Sequence, residues 1–222
     1  MNRSIAIDGP SGAGKSTIAK AAALRLGAHY LDTGAMYRAV CVYMLRENVD
    51  LEDPQAIADR ADDARVDVYY DESGLQHTCL NGEDITAILR EKAVSMGASK
   101  VSAVRRVRQN QVRRQKELAN ELFLVCDGRD IGTCVITDAA LKIYLTATAE
   151  ERALRRFREI KDPDCSYESV LRDINQRDYN DTHREESPLV QAPDAVVIDS
   201  THMTADEVVD EVVRLYRLRI GD

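Results

Sequence analysis

The sequence predicts an α/β fold, a doubly wound parallel sheet of five strands with helices on both faces and a small antiparallel β insert. Three observations carry this. Short apolar runs alternate with stretches of helical period along the 222 residues. The first run, Ser4-Ile5-Ala6-Ile7-Asp8, leads straight into Gly9-Pro10-Ser11-Gly12-Ala13-Gly14-Lys15-Ser16 and then into an Ala-rich helix from Thr17. A hairpin pattern over 66–82 interrupts the alternation once.

The elements follow in order. The strand, glycine-rich turn and helix at the start are the setting a G-x-x-x-x-G-K-[ST] phosphate loop requires. Ala28 to Asp32 reads as a second strand, and Thr33 opens a helix to about Glu47. A short helix follows Pro54. Val66 to Tyr70 and Leu75 to Leu80 alternate around the turn Asp71-Glu72-Ser73-Gly74, and Asn81-Gly82 allows a third short strand. Helical character returns over 88–96, and a long basic helix is expected over 101–120. Leu122 to Cys126 is a near-continuous apolar run, hence a buried parallel strand. Ala140 to Leu145 is the fourth core strand. Thr148 and Glu151 form a capping box for a helix to about Ile160, and Lys161 to Cys165 breaks it. Ser166 to Asn180 is helical, and Pro193 to Asp199 is the fifth strand. Thr204 and Glu207 cap the last helix, whose apolar stripe is Val208, Val209, Val212, Val213 and Tyr216.

Composition bounds the function. The chain is 44% hydrophobic and 31% charged, enough for one substantial core without an independent second domain. No run is apolar enough to span a bilayer, and the N-terminus enters the first strand without room for a signal peptide. The five cysteines never form C-x-x-C, which favours free thiols in a reducing cytosol over zinc or disulfides. A net charge of −8 argues against a general nucleic-acid binder. Of 30 basic residues 7 are lysine, which leaves 23 arginines, the residue suited to bidentate phosphate contacts.

The loop itself specifies chemistry. Backbone N–H groups of the turn wrap a β-phosphate, and the following helix points its positive end at the same anion. Lys15 supplies a point charge for the β- and γ-phosphates, and the Ser16 hydroxyl can ligate Mg²⁺. A GTPase would need an N-K-x-D base-reading element, which is absent, and a large ATPase a longer chain. A compact kinase with a small acceptor remains. Its ligands are expected beyond the carboxyl ends of the strands, where Asp8, Asp32 to Arg38 and Asp127 to Asp130 cluster.

These pieces resemble the bacterial-type cytidylate kinases, nucleoside monophosphate kinases of the phosphate-loop class, over essentially the full length. The resemblance rests on Gly9 to Ser16 and on Leu31-Asp32-Thr33-Gly34-Ala35-Met36-Tyr37-Arg38. It rests also on the hairpin ending Leu80-Asn81-Gly82-Glu83-Asp84, on Asp127-Gly128-Arg129-Asp130-Ile131-Gly132-Thr133, and on Arg177 to Arg184 before Ser187-Pro188-Leu189. It implies transfer of the γ-phosphoryl group of ATP to CMP or dCMP in a cytoplasmic monomer. It also implies a core (about 1–36, 100–150 and 185–222), a monophosphate-binding region with the hairpin (37–99) and a helical lid (152–184).

The resemblance further implies roles. Gly9, Pro10, Ser11, Gly12, Ala13, Gly14, Lys15, Ser16 and Thr17 hold ATP, with Mg²⁺ on Ser16. Arg38, Arg129 and Arg177 grip the CMP phosphate. Asp32, Thr33, Asp127 and Gly128 form the substrate-facing strand ends, and Tyr37 packs on the nucleotide. Asp181 accepts from the ribose, and Ser99, Arg108 and Asp130 read the base. Lys15, Arg129, Arg155, Arg156 and Arg184 neutralise the transferring phosphoryl group, and Arg152, on the helix entering the lid, is a further candidate to close on the phosphates. Solvated helix faces and pairing with Glu150, Glu151 and Glu159 are the competing reading for the lid arginines. Kinases of UMP, shikimate or dephospho-coenzyme A, a regulator without turnover, and RNA binding by the basic helix are the alternative functions.

Overall fold

The structure is a computed structural model that describes residues 2–160 and 165–221. In chain order it runs β1 (Asn2–Asp8), α1 (Lys15–Leu26), β2 (His29–Asp32), α2 (Thr33–Arg46), α3 (Pro54–Arg60), β3 (Val66–Tyr70), β4 (Gln76–Leu80), β5 (Glu83–Asp84), α4 (Lys92–Ala103), α5 (Arg105–Glu121), β6 (Leu124–Gly128), β7 (Ala139–Thr146), α6 (Ala149–Glu159), α7 (Tyr167–His183), β8 (Val196–Asp199) and α8 (Ala205–Ile220). The larger sheet has the order β2-β6-β1-β7-β8 and is parallel throughout, and β3-β4-β5 form a small antiparallel sheet.

The central strand shows why the runs are so apolar. Successive side chains of a strand point to opposite faces, and here both faces are covered. Ile5 and Ile7 pack in one cluster with Ile18, Ala19 and Ala22 of α1 and with the stripe of α8. Ala6 faces the other cluster, which holds Met36, Val40 and Met44 of α2 and Val101 and Val107 of the α4–α5 region. Val66, Val68 and Leu80 of the antiparallel insert join that second cluster, so the insert is anchored on α2.

Several sequence expectations need correction. The basic helix over 101–120 is two helices, broken at Val104, which is extended at φ −78°, ψ 123°. The break lets Val101 and Val107 both face the core while Arg105 and Arg106 point to water. The third core strand begins at Leu124, not Leu122, because α5 continues to Glu121 and the chain must first turn out of it. The fifth begins at Val196, and the last helix of the 166–180 stretch runs on to His183. The Thr148 side chain accepts from Glu151 N, whereas Thr204 and Glu207 make the full reciprocal box. A single π-helical turn, Ile131–Val135, was not legible in advance. The expected break at 161–165 lies outside the described residues except for Cys165.

The tip of the insert is tied by one histidine. His77 Nδ1 and Nε2 lie 2.7 and 3.2 Å from Asp84 Oδ2 and Asp71 Oδ2, and its ring stacks on Tyr69. The two carboxylates raise its pKa above the ordinary histidine value. A raised folded-state pKa gives stability that is full below the unfolded pKa and is lost as pH rises through the folded one. The stability advantage of the parent over His77→Asn should therefore shrink as pH climbs from about 6 into the alkaline range. Denaturant melts at several pH values would show it, and a pH-independent difference would refute it.

Candidate active site

The phosphate loop leaves β1 at Gly9, whose φ of 149° and surroundings admit no side chain: a Cβ there would lie 2.0 Å from the Leu145 carbonyl oxygen. Gly14 caps α1 in the left-handed region, so the first turn of α1 opens toward the loop. Lys15 is buried and donates to Pro10 O at 2.6 Å, which folds its ammonium back under the loop. Burial, then Arg129, pulls its pKa down to about 7. A bound triphosphate would supply the missing negative charge.

Neighbouring strand ends face this loop. Asp8 and Gly128 are register partners on β1 and β6, and Asp32 and Asp127 are partners on β2 and β6. Asp127 is buried and accepts from Tyr30 OH at 2.9 Å and from Ser16 Oγ at 2.8 Å. Burial, then the nearby Asp32, raises its pKa, and the Lys15 ammonium and the two hydroxyl donors oppose that rise. Ser16 Oγ and Asp127 are hard oxygen donors of the kind Mg²⁺ takes alongside phosphate and water oxygens, and they fit that ion. Thr33 Oγ1 donates to Asp127 O at 2.7 Å, and a Cβ on Gly128 would strike Ile131 at 2.7 Å. That packing keeps β6 close to the start of α2.

Asp32 caps α2 by accepting from Ala35 N and also accepts from Arg38 one turn on, both at 2.8 Å. On the far side, Arg129 Nε donates to Asp181 Oδ2 at 2.5 Å. After burial, the charges that act on Lys15 are those of Arg129, Asp127, Asp181 and Asp8. Arg177 is exposed, and one of its terminal nitrogens reaches Ser95 O on α4 at 3.3 Å.

The base-reading candidates form a second, more deeply buried group. Arg108, 3% exposed, donates to Ser102 O at 3.1 Å and to Asp130 Oδ2, and its guanidinium lies 5.2 Å from the centre of the Tyr37 ring. Arg184 lies 3.6 Å from Asp130 Oδ1 on the opposite side. Two buried guanidiniums thus share one carboxylate. Among the described residues, Tyr37 OH, Arg38 Nε, Arg108 Nε and an Arg184 terminal nitrogen are buried without a hydrogen-bond partner. Such orphaned groups are costly unless a ligand meets them. Ser99 stands one turn before Ser102 on α4, half-buried, and its carbonyl accepts from Ser102 Oγ.

The lid arginines divide. Arg184 joins the buried group. Arg156 pairs with Glu159 at 3.1 Å on an exposed face, within electrostatic reach of Arg177. Arg155 is not brought to the cluster. Glu151 holds its Nε at 2.9 Å, and the hydroxyl and carbonyl of Ser200 hold its two ends. Sequence spacing could not separate these neighbours, because their faces depend on where α6 docks.

Three residues have site contacts to which the sequence reading gave no role, although Asp8 stood in its strand-end cluster and Asp178 in its Arg177-to-Arg184 motif. Asp8 accepts from Ile131 N and Gly132 N, each at 2.8 Å, and so fixes the π-helical turn that follows Asp130. Burial pushes its pKa up to about 6. Gln76, on the insert, accepts from Asp32 N at 2.7 Å. Asp178 accepts from Ser11 N at 2.9 Å. A polar residue closing a buried strand was a signal for Asp8; the other two carry none.

A phosphate loop at the end of a central parallel strand, with Arg129 at the neighbouring strand end and the buried Arg108–Asp130–Arg184 group beyond it, marks a phosphate-loop kinase with a small acceptor. The comparisons agree. The family profile "Cytidylate kinase" matches residues 5–218. A cytidylate kinase of Caldicellulosiruptor saccharolyticus is 47% identical over 98% of this chain and 97% of its own. One of Ligilactobacillus salivarius is 46% identical over 97% and 96%. A gluconokinase from Sinorhizobium meliloti, 13% identical, covers 99% of this chain and 95% of its own with a TM-score of 0.51, which shows the shared fold. The chain is a nucleoside monophosphate kinase and belongs to the cytidylate kinase family.

Proposed function

We propose that the chain transfers the γ-phosphoryl group of ATP to CMP, and to dCMP, by alignment and charge neutralisation alone. The observation that carries the mechanism is the convergence of Lys15, Arg129 and the Arg108–Asp130–Arg184 group at adjacent strand ends, with buried donors left unpaired. The acceptor atom is a phosphate oxygen, already anionic, so no general base is needed. Lys15 and the loop amides hold the β- and γ-phosphates. Arg38, Arg129 and Arg177 hold the CMP phosphate in line, Arg38 and Arg129 exchanging their partners Asp32 and Asp181 for it. Asp181, freed by that exchange, can accept from the ribose.

Ser16 and Asp127 would hold Mg²⁺, which would supply positive charge to offset that of the phosphates. Arg184 and Arg156 supply positive charge as the lid closes. Arg108 donates to cytosine N3 and O2, while Ser99 and Asp130 accept from the N4 amino group.

A coupled ADP-release assay with Mg²⁺ across nucleoside monophosphates, shikimate and dephospho-coenzyme A tests this. CMP and dCMP should exceed UMP in kcat/KM by about tenfold or more, the worth of one discriminating polar contact. Turnover of another acceptor in preference, or none with any, would refute it.

A further inference from the structure

Two residues that these roles leave idle are built onto the phosphate loop. Arg152 of α6 is 6% exposed, and all its bonds go inward. Its Nε donates to Ala147 O at 2.9 Å, and one terminal nitrogen donates to both Ser11 O and Asp178 Oδ2 at 2.6 Å. Asp178 of α7 completes the circuit, its other oxygen accepting from Ser11 N at 2.9 Å. One ion pair therefore holds the Ser11 peptide by its N–H and its C=O at once, each partner coming from a different helix.

The next residue shows how closely these helices lie. A Cβ on Gly12 would come within 3.2 Å of both Arg152 Cβ and Ile174 Cδ1. Ala153, Val170 and Ile174 form a small cluster of their own, separate from the two clusters that flank the sheet. The helix pair is thus a unit with its own core, and the Arg152–Asp178 pair fastens it to the loop tip.

We propose that Arg152 and Asp178 are positioning residues for ATP, fixing the Ser11 peptide and so making the shape of the phosphate loop depend on how α6 and α7 are seated. This rests on reading the loop as the ATP site. The charges balance within the pair, so Asp178 fixes the loop without setting a bare carboxylate beside a triphosphate. Neither side chain reacts. Their effect passes through the backbone, where a displacement of 1 Å can cost as much as a hundredfold in rate.

The test compares Asp178→Ala and the near-isosteric Asp178→Asn with the parent, measuring both Michaelis constants, kcat and thermal stability. KM for ATP should rise about tenfold or more with Asp178→Ala, with KM for CMP within about twofold. Asp178→Asn should restore part of the loss, since its amide oxygen can still accept from Ser11 N. A drop in stability with both constants unchanged would overturn the proposal. Lys15→Ala is the control: if it too left turnover intact, the ATP-site reading would fail instead. Amide exchange in the ligand-free parent provides a measurement independent of any variant. Ser11 N–H should be protected without nucleotide, and rapid exchange there would overturn the pair's role.

Discussion

A Lys15→Ala variant should fold like the parent and turn over several hundredfold or more slowly, equivalent to about 3.5 kcal/mol of lost transition-state stabilisation. Lys15 is the only basic side chain of the loop, and Pro10 O already holds its ammonium beneath the turn. Burial disfavours its charged form in the free protein, with the pKa down to about 7. Removing it thus relieves a cost in the fold while taking away the cation that meets the developing phosphoryl charge. Steady-state kinetics with ATP and CMP, alongside a thermal melt, would check both halves. A well-folded variant with near-parental kcat would remove Lys15 from the chemistry.

Asp130→Asn should act on two quantities at once. The carboxylate stands between the guanidiniums of Arg108 and Arg184 and is itself 4% exposed. Neutralising it leaves two buried cations without their counter-charge, a loss of about 3–5 kcal/mol of folding stability. The asparagine amide can also turn to donate to uracil O4, which the carboxylate repels. The preference for CMP over UMP in kcat/KM should narrow by roughly 1–3 kcal/mol. Denaturant melts and kinetics on both nucleotides give independent readouts. Loss of stability with equal loss of both activities would mean that Asp130 holds the arginines and does not read the base.

What could be read from the sequence was local. The phosphate loop keeps its chemistry in contiguous residues, so Gly9 to Ser16 announced itself, and the apolar runs gave the five strands. The same reasoning could not foresee partners joined only by folding. Asp8 meets Ile131 and Gly132 across 123 and 124 residues, and Ser11 meets Asp178 across 167. Val104 breaks a helix with no glycine or proline to mark it, because the break serves the core and not local preference. The resting place of Arg155 was hidden for a related reason: three arginines within five residues look alike until α6 docks and turns one of them to Ser200.

The pairing of Asp8 with Gly128 has a consequence for how such an enzyme can diversify. The donor loop begins one residue after Asp8, and Arg129 one residue after Gly128, on strands hydrogen-bonded side by side. Adjacent strands in a sheet lie about 4.8 Å apart. The spacing between the start of the phosphate loop and Arg129 is thus set by a backbone ruler. Lengthening the insert or the lid leaves that ruler untouched. The insert and the lid can therefore vary in length while the loop and Arg129 keep their spacing.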